Sequence, residues 1–312
     1  MLALARYMLS GRSQALAATT LLNLVALLIP PTAFIVGGTP VALVTLRKGP
    51  LVTVQLLAGT FLLVAAGLLL AGLSPLLALG LLFGIWLPVM LAASILRRQE
   101  SQGAMLTMAA LLAALFVSLM YLTLGDVESW WRGYLEPQFA ALLADKPDKV
   151  VQELLEGAVP LVNGVMAAGL VISITTATLL ARWYQAALFN PGGFGDEFRA
   201  LSLPRSVALA LVISMFGAFL LDGLISQWLR DLVFVGTAVF LFQGLALCHH
   251  QVKQRGWSVN WLVAMYLLII LLPQVLLFTA CLGFADAWLR GGEARLTRPP
   301  DDSGPDDGSS KD

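Results

Sequence analysis

The 312-residue sequence is 58% hydrophobic and 12% charged, roughly half the charged share of an ordinary soluble domain, and its mean hydropathy is +0.83. A water-soluble globule is excluded. Nineteen basic residues balance nineteen acidic ones, so net charge gives no argument for a nucleic-acid partner. The chain reads as all-α, a polytopic transmembrane helical bundle.

A spanning helix needs about 20 apolar residues to cross roughly 30 Å of hydrocarbon, and charge-free runs are measured against that length. The first run, residues 13–46, follows Arg6 and Arg12. It is longer than the apolar part of a secretory signal and reads as an uncleaved anchor. As one straight helix it would extend about 50 Å, too far for a single crossing. Pro30 and Pro31 remove two consecutive amide donors, so a helix from about residue 15 is expected to end near Leu28. Residues 32–46, with Gly37, Gly38 and Pro40, are expected to return as a short or partly unwound segment.

Runs 51–73, 75–96, 102–125 and 157–181 each fit one crossing. Runs 206–221 and 232–248 are shorter, yet adequate for tilted or locally thinned insertion. The last run, 256–285, holds Pro273 and would extend about 45 Å if straight; a kinked single crossing is expected. The bundle therefore has eight or nine hydrophobic segments.

Residues 125–156 interrupt this pattern with seven acids against three basic residues. Trp131, Tyr134, Leu135, Gln138, Phe139, Leu142 and Leu143 nonetheless recur at helical spacing, and Val150, Val151, Leu154 and Leu155 suggest a second short helix. This reads as an extracytoplasmic amphipathic helical hairpin, with Trp130, Trp131 and Tyr134 at headgroup level; a lid over an outer cavity is the sharper alternative. Residues 291–312 hold ten Gly, Pro and Ser and five Asp, a disordered tail by composition. The domains are thus a transmembrane domain over 1–290, with the 125–156 insertion, and the tail.

Short cytoplasmic loops collect Lys and Arg. With the N-terminus cytoplasmic and the first run a two-segment hairpin, eleven basic residues fall inside, the pairs Arg47-Lys48 and Arg97-Arg98 among them. A single first crossing would export both pairs. The side of the basic tail stays open.

No Walker loop, HExxH, Cys-x-x-Cys or GxSxG elbow occurs, so the usual signatures of ATP hydrolysis, zinc proteolysis and serine hydrolysis are missing. No enzyme, cofactor or metal site is expected. Cys248 and Cys281 behave as small hydrophobes in apolar runs. His249 and His250 point about 100° apart on a helix, which suits a helix-end interaction better than joint ligation. Asp222 and Asp286 are read as the acids closest to the hydrocarbon. Asn23, Gln55, Asn163, Gln243 and Gln274 lie deeper and need partners.

Asn163 follows Pro160, and Gln243 adjoins Gly244. An irregular helix beside an amide side chain frees backbone groups for a ligand. Asn163, Gln243 and Asp222 are therefore the candidate ligand-binding residues, with helix-to-helix bonding as the plainer account. Gly80 and Gly84 form a GxxxG step, and Ala109-Ala110 with Ala113-Ala114 form small-residue steps, each explained by close helix packing. The segment 190–199, with three glycines, reads as an ordered cytoplasmic turn.

The stretch PVALVTLRKG from Pro40 to Gly49, the Ala181-Arg182-Trp183 helix end, the GFGDEFRALSLP turn, the Phe242 to Ala246 stretch and the terminal Gly283-Phe284-Ala285-Asp286 resemble, in their order, the YybS-like family of bacterial inner-membrane proteins. That family is distantly similar to the S components of energy-coupling-factor transporters, which hold a small molecule in a helical bundle and pass it to a separate ATPase. The resemblance implies a transport-related or small-ligand-binding membrane subunit without its own ATPase, in contact with the lipid bilayer, a small-molecule ligand and a protein partner. One departure stands out: the best alanine steps here lie on the helix from Gln102, whereas S components carry theirs on the first helix. A membrane scaffold or assembly factor that docks a protein partner is the alternative.

Overall fold

The computed structural model describes residues 2–28, 30–144 and 146–293. Helices α1 (Leu2–Ser10), α2 (Arg12–Leu27), α3 (Pro30–Lys48) and α4 (Pro50–Leu70) open the chain. Helices α5 (Leu77–Leu81) and α6 (Leu87–Gln99) are joined by a π turn over Leu82–Trp86, and α7 (Gln102–Leu124), α8 (Val127–Leu142) and α9 (Asp148–Phe189) follow. The remainder is α10 (Gly193–Arg199), α11 (Arg205–Leu220), α12 (Gly223–Gln254), α13 (Asn260–Leu271) and α14 (Pro273–Glu293). Among the described residues the chain is helical and forms no strand.

Five segments are long and apolar enough to cross a membrane: Pro50–Leu70, Leu77–Gln99, Gln102–Leu124, Asp148–Phe189 and Gly223–Gln254. Three shorter apolar helices accompany them. Leu62, Leu122, Phe219 and Ile270 stand outward, more than two-thirds exposed for the last three. A surface of large apolar side chains suits lipid and would be an aggregation hazard in water. Inside, α3, α9 and α12 form the centre: α3 packs on α2, α6 and α9, while α12 packs on α7, α9, α11 and α14.

The expected break near Leu28 is present, since α2 stops at Leu27 and α3 begins at Pro30. The returning segment, however, is a full helix through Gly37, Gly38 and Pro40. Pro40 donates no amide hydrogen, but neighbouring groups support the turn before it. Asn23 Nδ2 donates to the Gly37 carbonyl at 3.4 Å, and Thr39 Oγ1 donates to the Ile35 carbonyl at 2.6 Å. Trp86, directed by the π turn and fully buried, donates Nε1 to Asn23 Oδ1 at 2.8 Å. Asn23 is therefore a joint between α2, α3 and the π turn.

Three other expectations change. Residues 150–155 are the first turns of the 42-residue α9, which continues through Pro160. Their buried members Val151 and Leu155, with Val159, meet Trp131, Leu135, Phe139 and Leu143, so α8 lies back along α9. The last apolar run is two helices, because Leu272 is extended (φ −129°, ψ 93°) just before Pro273. Helix α14 takes in residues 291–293, and the rest of the expected tail lies outside the described residues.

Close approach of helices falls on other glycines than Gly80 and Gly84, around which a Cβ would meet nothing within 4 Å. A Cβ on Gly244 would lie 1.9 Å from the Thr279 carbonyl oxygen, and one on Gly283 would lie 2.1 Å from that of Phe240. Helices α12 and α14 thus touch backbone to backbone, as small residues permit. On α7, Ala109 and Ala113 are fully buried.

Candidate functional site

Helix α12 carries an acid, Asp231, two turns beyond its start, and that side chain is only 2% exposed. It shares a buried face with Val235, Ala238 and Phe242, spaced i, i+4, i+7 and i+11 as one helix side requires. Burying a carboxylate in an apolar bundle is costly unless donors surround it. Two donors converge on one oxygen: Asn163 Nδ2 on α9 reaches Asp231 Oδ2 at 2.6 Å, and Tyr121 Oη on α7 reaches it at 2.9 Å. Both donors are neutral.

Gly164, beside Asn163, makes room for the acid. A Cβ there would fall 3.0 Å from Asp231 Oδ1 and 2.5 Å from Phe234 Cδ2. Above the acid, Trp131 of α8 donates Nε1 to Asn163 Oδ1 at 3.3 Å. The adjoining Arg230 pairs with Glu128 of α8 at 3.2 Å, both partly exposed. Three helices, α7, α9 and α12, therefore meet at a single carboxylate, and α8 joins them through Asn163. A shielded acid with neutral partners is suited to receive a proton or a cationic group.

The candidate residues occupy three separate places. Asn163 belongs to the Asp231 centre. Gln243, fully buried, lies twelve residues further along α12, about 18 Å at helical rise. Its Oε1 accepts from the Leu203 amide at 3.0 Å and its Nε2 donates to Asp286 Oδ2 at 2.9 Å, joining α12 to α14 and to the strap before α11. Asp222 is exposed at the start of α12, where its side chain makes no capping bond.

Asp231 escapes a search for charge-free runs because it adjoins Arg230, so the apolar stretch appears to begin at residue 232. The helical spacing of Asp231 with Val235 and Ala238 was the available signal. The second acid taken as close to the hydrocarbon, Asp286, is buried at 8% exposure. His249 bonds Tyr266 Oη through Nε2 at 2.9 Å and meets the Phe198 ring edge-on. Among the described residues no group of three or more His, Cys, Asp and Glu is placed to hold a metal.

Apolar spanning helices and a polar centre buried among them define a multi-pass helical membrane protein. The chain belongs to the DUF2232 family of predicted membrane proteins, whose model matches residues 17–287. No curated protein and no solved structure matches it.

Proposed function

We propose that the protein is a transport-related, small-ligand-binding subunit of the bacterial inner membrane without an ATPase of its own, in line with its resemblance to YybS-like proteins and, more distantly, to S components. In this reading α2 and α3 form a hairpin with a cytoplasmic N-terminus, the chain has eight or nine hydrophobic segments, and α8 lies outside over the Asp231 centre. One observation carries it: a fully shielded carboxylate, bonded to Asn163 and through it to the amphipathic α8. An acid at that depth is expensive to keep and is a functional candidate for that reason. Asn163, with Asp231 and Tyr121, forms the binding centre, and Gln243 and Asp222 lie outside it.

The scaffold reading is favoured by a different observation. Gln243 with Asp286, and Asn23 with Trp86, bond pairwise between helices, which is what helix joints without a ligand require. Native mass spectrometry of the protein gently extracted from its membrane separates the two. The subunit reading expects a bound small molecule that is lost in Asp231→Asn while the unfolding midpoint is kept. A stoichiometric protein partner with no small molecule would overturn it in favour of the scaffold.

A further inference from the structure

Well away from Asp231 along the bundle, α3, α6 and α9 border a cavity of about 580 Å³, within the size range of small-molecule sites. Arg47 and Arg97 stand in the last turns of α3 and α6, where a cation complements the helix dipole. That effect accounts for arginine at a helix end, but not for Arg47, Arg97 and Arg182 all facing one cavity.

The partners of the three guanidinium groups differ. Arg97 Nη1 donates to the Leu46 carbonyl at 2.8 Å and to that of Thr45 at 3.4 Å. Arg47 stands 4.1 Å from the centroid of the Phe189 ring. A carbonyl and an aromatic face fix these groups without neutralising their charge. Arg182 is instead engaged by a carboxylate: Nε donates to Glu197 Oε2 at 2.8 Å, Nη2 donates to Glu197 Oε1, and Nη1 donates to Gln185 Oε1 at 2.8 Å.

This two-pronged contact is the geometry by which arginine recognises carboxylate and phosphate alike. Glu197 sits on the seven-residue α10, entered through Gly192 at φ 93°, a conformation that favours glycine. The pair is partly open, with Arg182 at 21% and Glu197 at 30% side-chain exposure. With Glu100 the only other acid on the lining, three arginines face two carboxylates.

We infer that this cavity is a phosphate-binding site and that Glu197 is its internal stand-in, occupying the Arg182 fork until a ligand phosphate replaces it. A phosphate presents two oxygens to Arg182 and further charge to Arg47 and Arg97, which the single carboxylate of Glu197 does not supply. The phosphate belongs to a soluble phosphorylated molecule or to an anionic lipid headgroup, and the recognition chemistry is shared.

The test is calorimetric titration of inorganic phosphate into the full-length protein in nanodiscs of zwitterionic lipid at low salt. Saturable binding is expected. E197Q should bind phosphate more tightly because the competing charge is gone, and R47Q should bind at least about tenfold more weakly through loss of a charge-assisted contact. R47Q gives up a ring contact and a helix-end charge, each a small term, so its unfolding midpoint, measured in parallel, should fall only slightly. No saturable phosphate binding by either native protein or E197Q, or weaker binding by E197Q, would overturn the site.

Repeating the titration in nanodiscs that contain phosphatidylglycerol identifies the source. Unchanged phosphate binding assigns a soluble ligand. Loss of that binding, with phosphatidylglycerol retained by E197Q and released by R47Q in native mass spectrometry, assigns a lipid headgroup.

Discussion

Asn163 donates to Asp231 at 2.6 Å across 68 residues of sequence, and the same amide accepts from Trp131. One side chain therefore ties α9 to both α12 and α8. Asn163→Leu removes a donor from a buried carboxylate and the acceptor of an indole at once. We expect a loss of about 1–3 kcal/mol, seen as a lower unfolding midpoint in detergent, with membrane insertion intact. Asn163→Leu with Asp231→Leu should recover part of that loss, since the buried carboxylate left without its donor is itself removed, although Tyr121 and Trp131 then lose their acceptors. A single variant as stable as the native protein would remove Asn163 from this role.

Glycines at backbone contacts should be far less replaceable than glycines in a sequence motif. Gly244→Ala and Gly283→Ala each drive a methyl group into a carbonyl oxygen of the facing helix, and backbone has little room to retreat. Each should cost at least about 1–3 kcal/mol and loosen α14 from α12, as read by faster hydrogen exchange in both helices. Gly80→Ala and Gly84→Ala meet open space and should stay within about 0.5 kcal/mol. Equal losses at all four positions would contradict the assigned contacts.

Acid should release the start of α8. Asp126 caps that helix, accepting from the Ser129 amide at 2.9 Å and the Ser129 hydroxyl at 2.6 Å, and the hydroxyl bond followed by the amide bond holds its carboxyl below the usual range. A lowered acid stabilises the folded form above its unfolded value, near pH 4. That contribution is lost as the pH falls through the depressed folded value. Hydrogen exchange of the first turn of α8 should therefore accelerate below about pH 4 in the native protein. Asp126→Asn keeps an acceptor but cannot titrate, and its exchange should follow intrinsic chemistry alone over that range.

The proposed orientation makes a labelling prediction. With Cys248→Ala and Cys281→Ala as background, Lys149→Cys places a thiol on a highly exposed position at the start of α9. Gln99→Cys places one at the exposed end of α6. A membrane-impermeant maleimide should modify Lys149→Cys in intact cells, and Gln99→Cys only after permeabilisation. The reverse pattern would invert the topology.

Much of the helical framework is local information, and the sequence carries it directly. Unbroken apolar length specifies helices that satisfy their own backbone groups in lipid. Pro30 ends α2 because a missing donor acts on its own turn, and Trp131, Leu135 and Phe139 mark the inner face of α8 by their spacing. What Pro40 and the 150–155 segment do is already less local. The former stays helical because Asn23 and Thr39 bond the carbonyls near it, and the latter is absorbed into α9 because Val151 and Leu155 pack under α8.

The pairing of polar groups was decided by tertiary structure alone. No local pattern states that Asn163 meets Asp231, that Gln243 instead meets Asp286, or that Arg182 turns to Glu197 beside Arg47 and Arg97. Composition required only that buried polar groups find partners. Which partner each one finds depends on how the helices cross, and that depends on where Gly244, Gly283 and Gly164 let backbone and side chains come close.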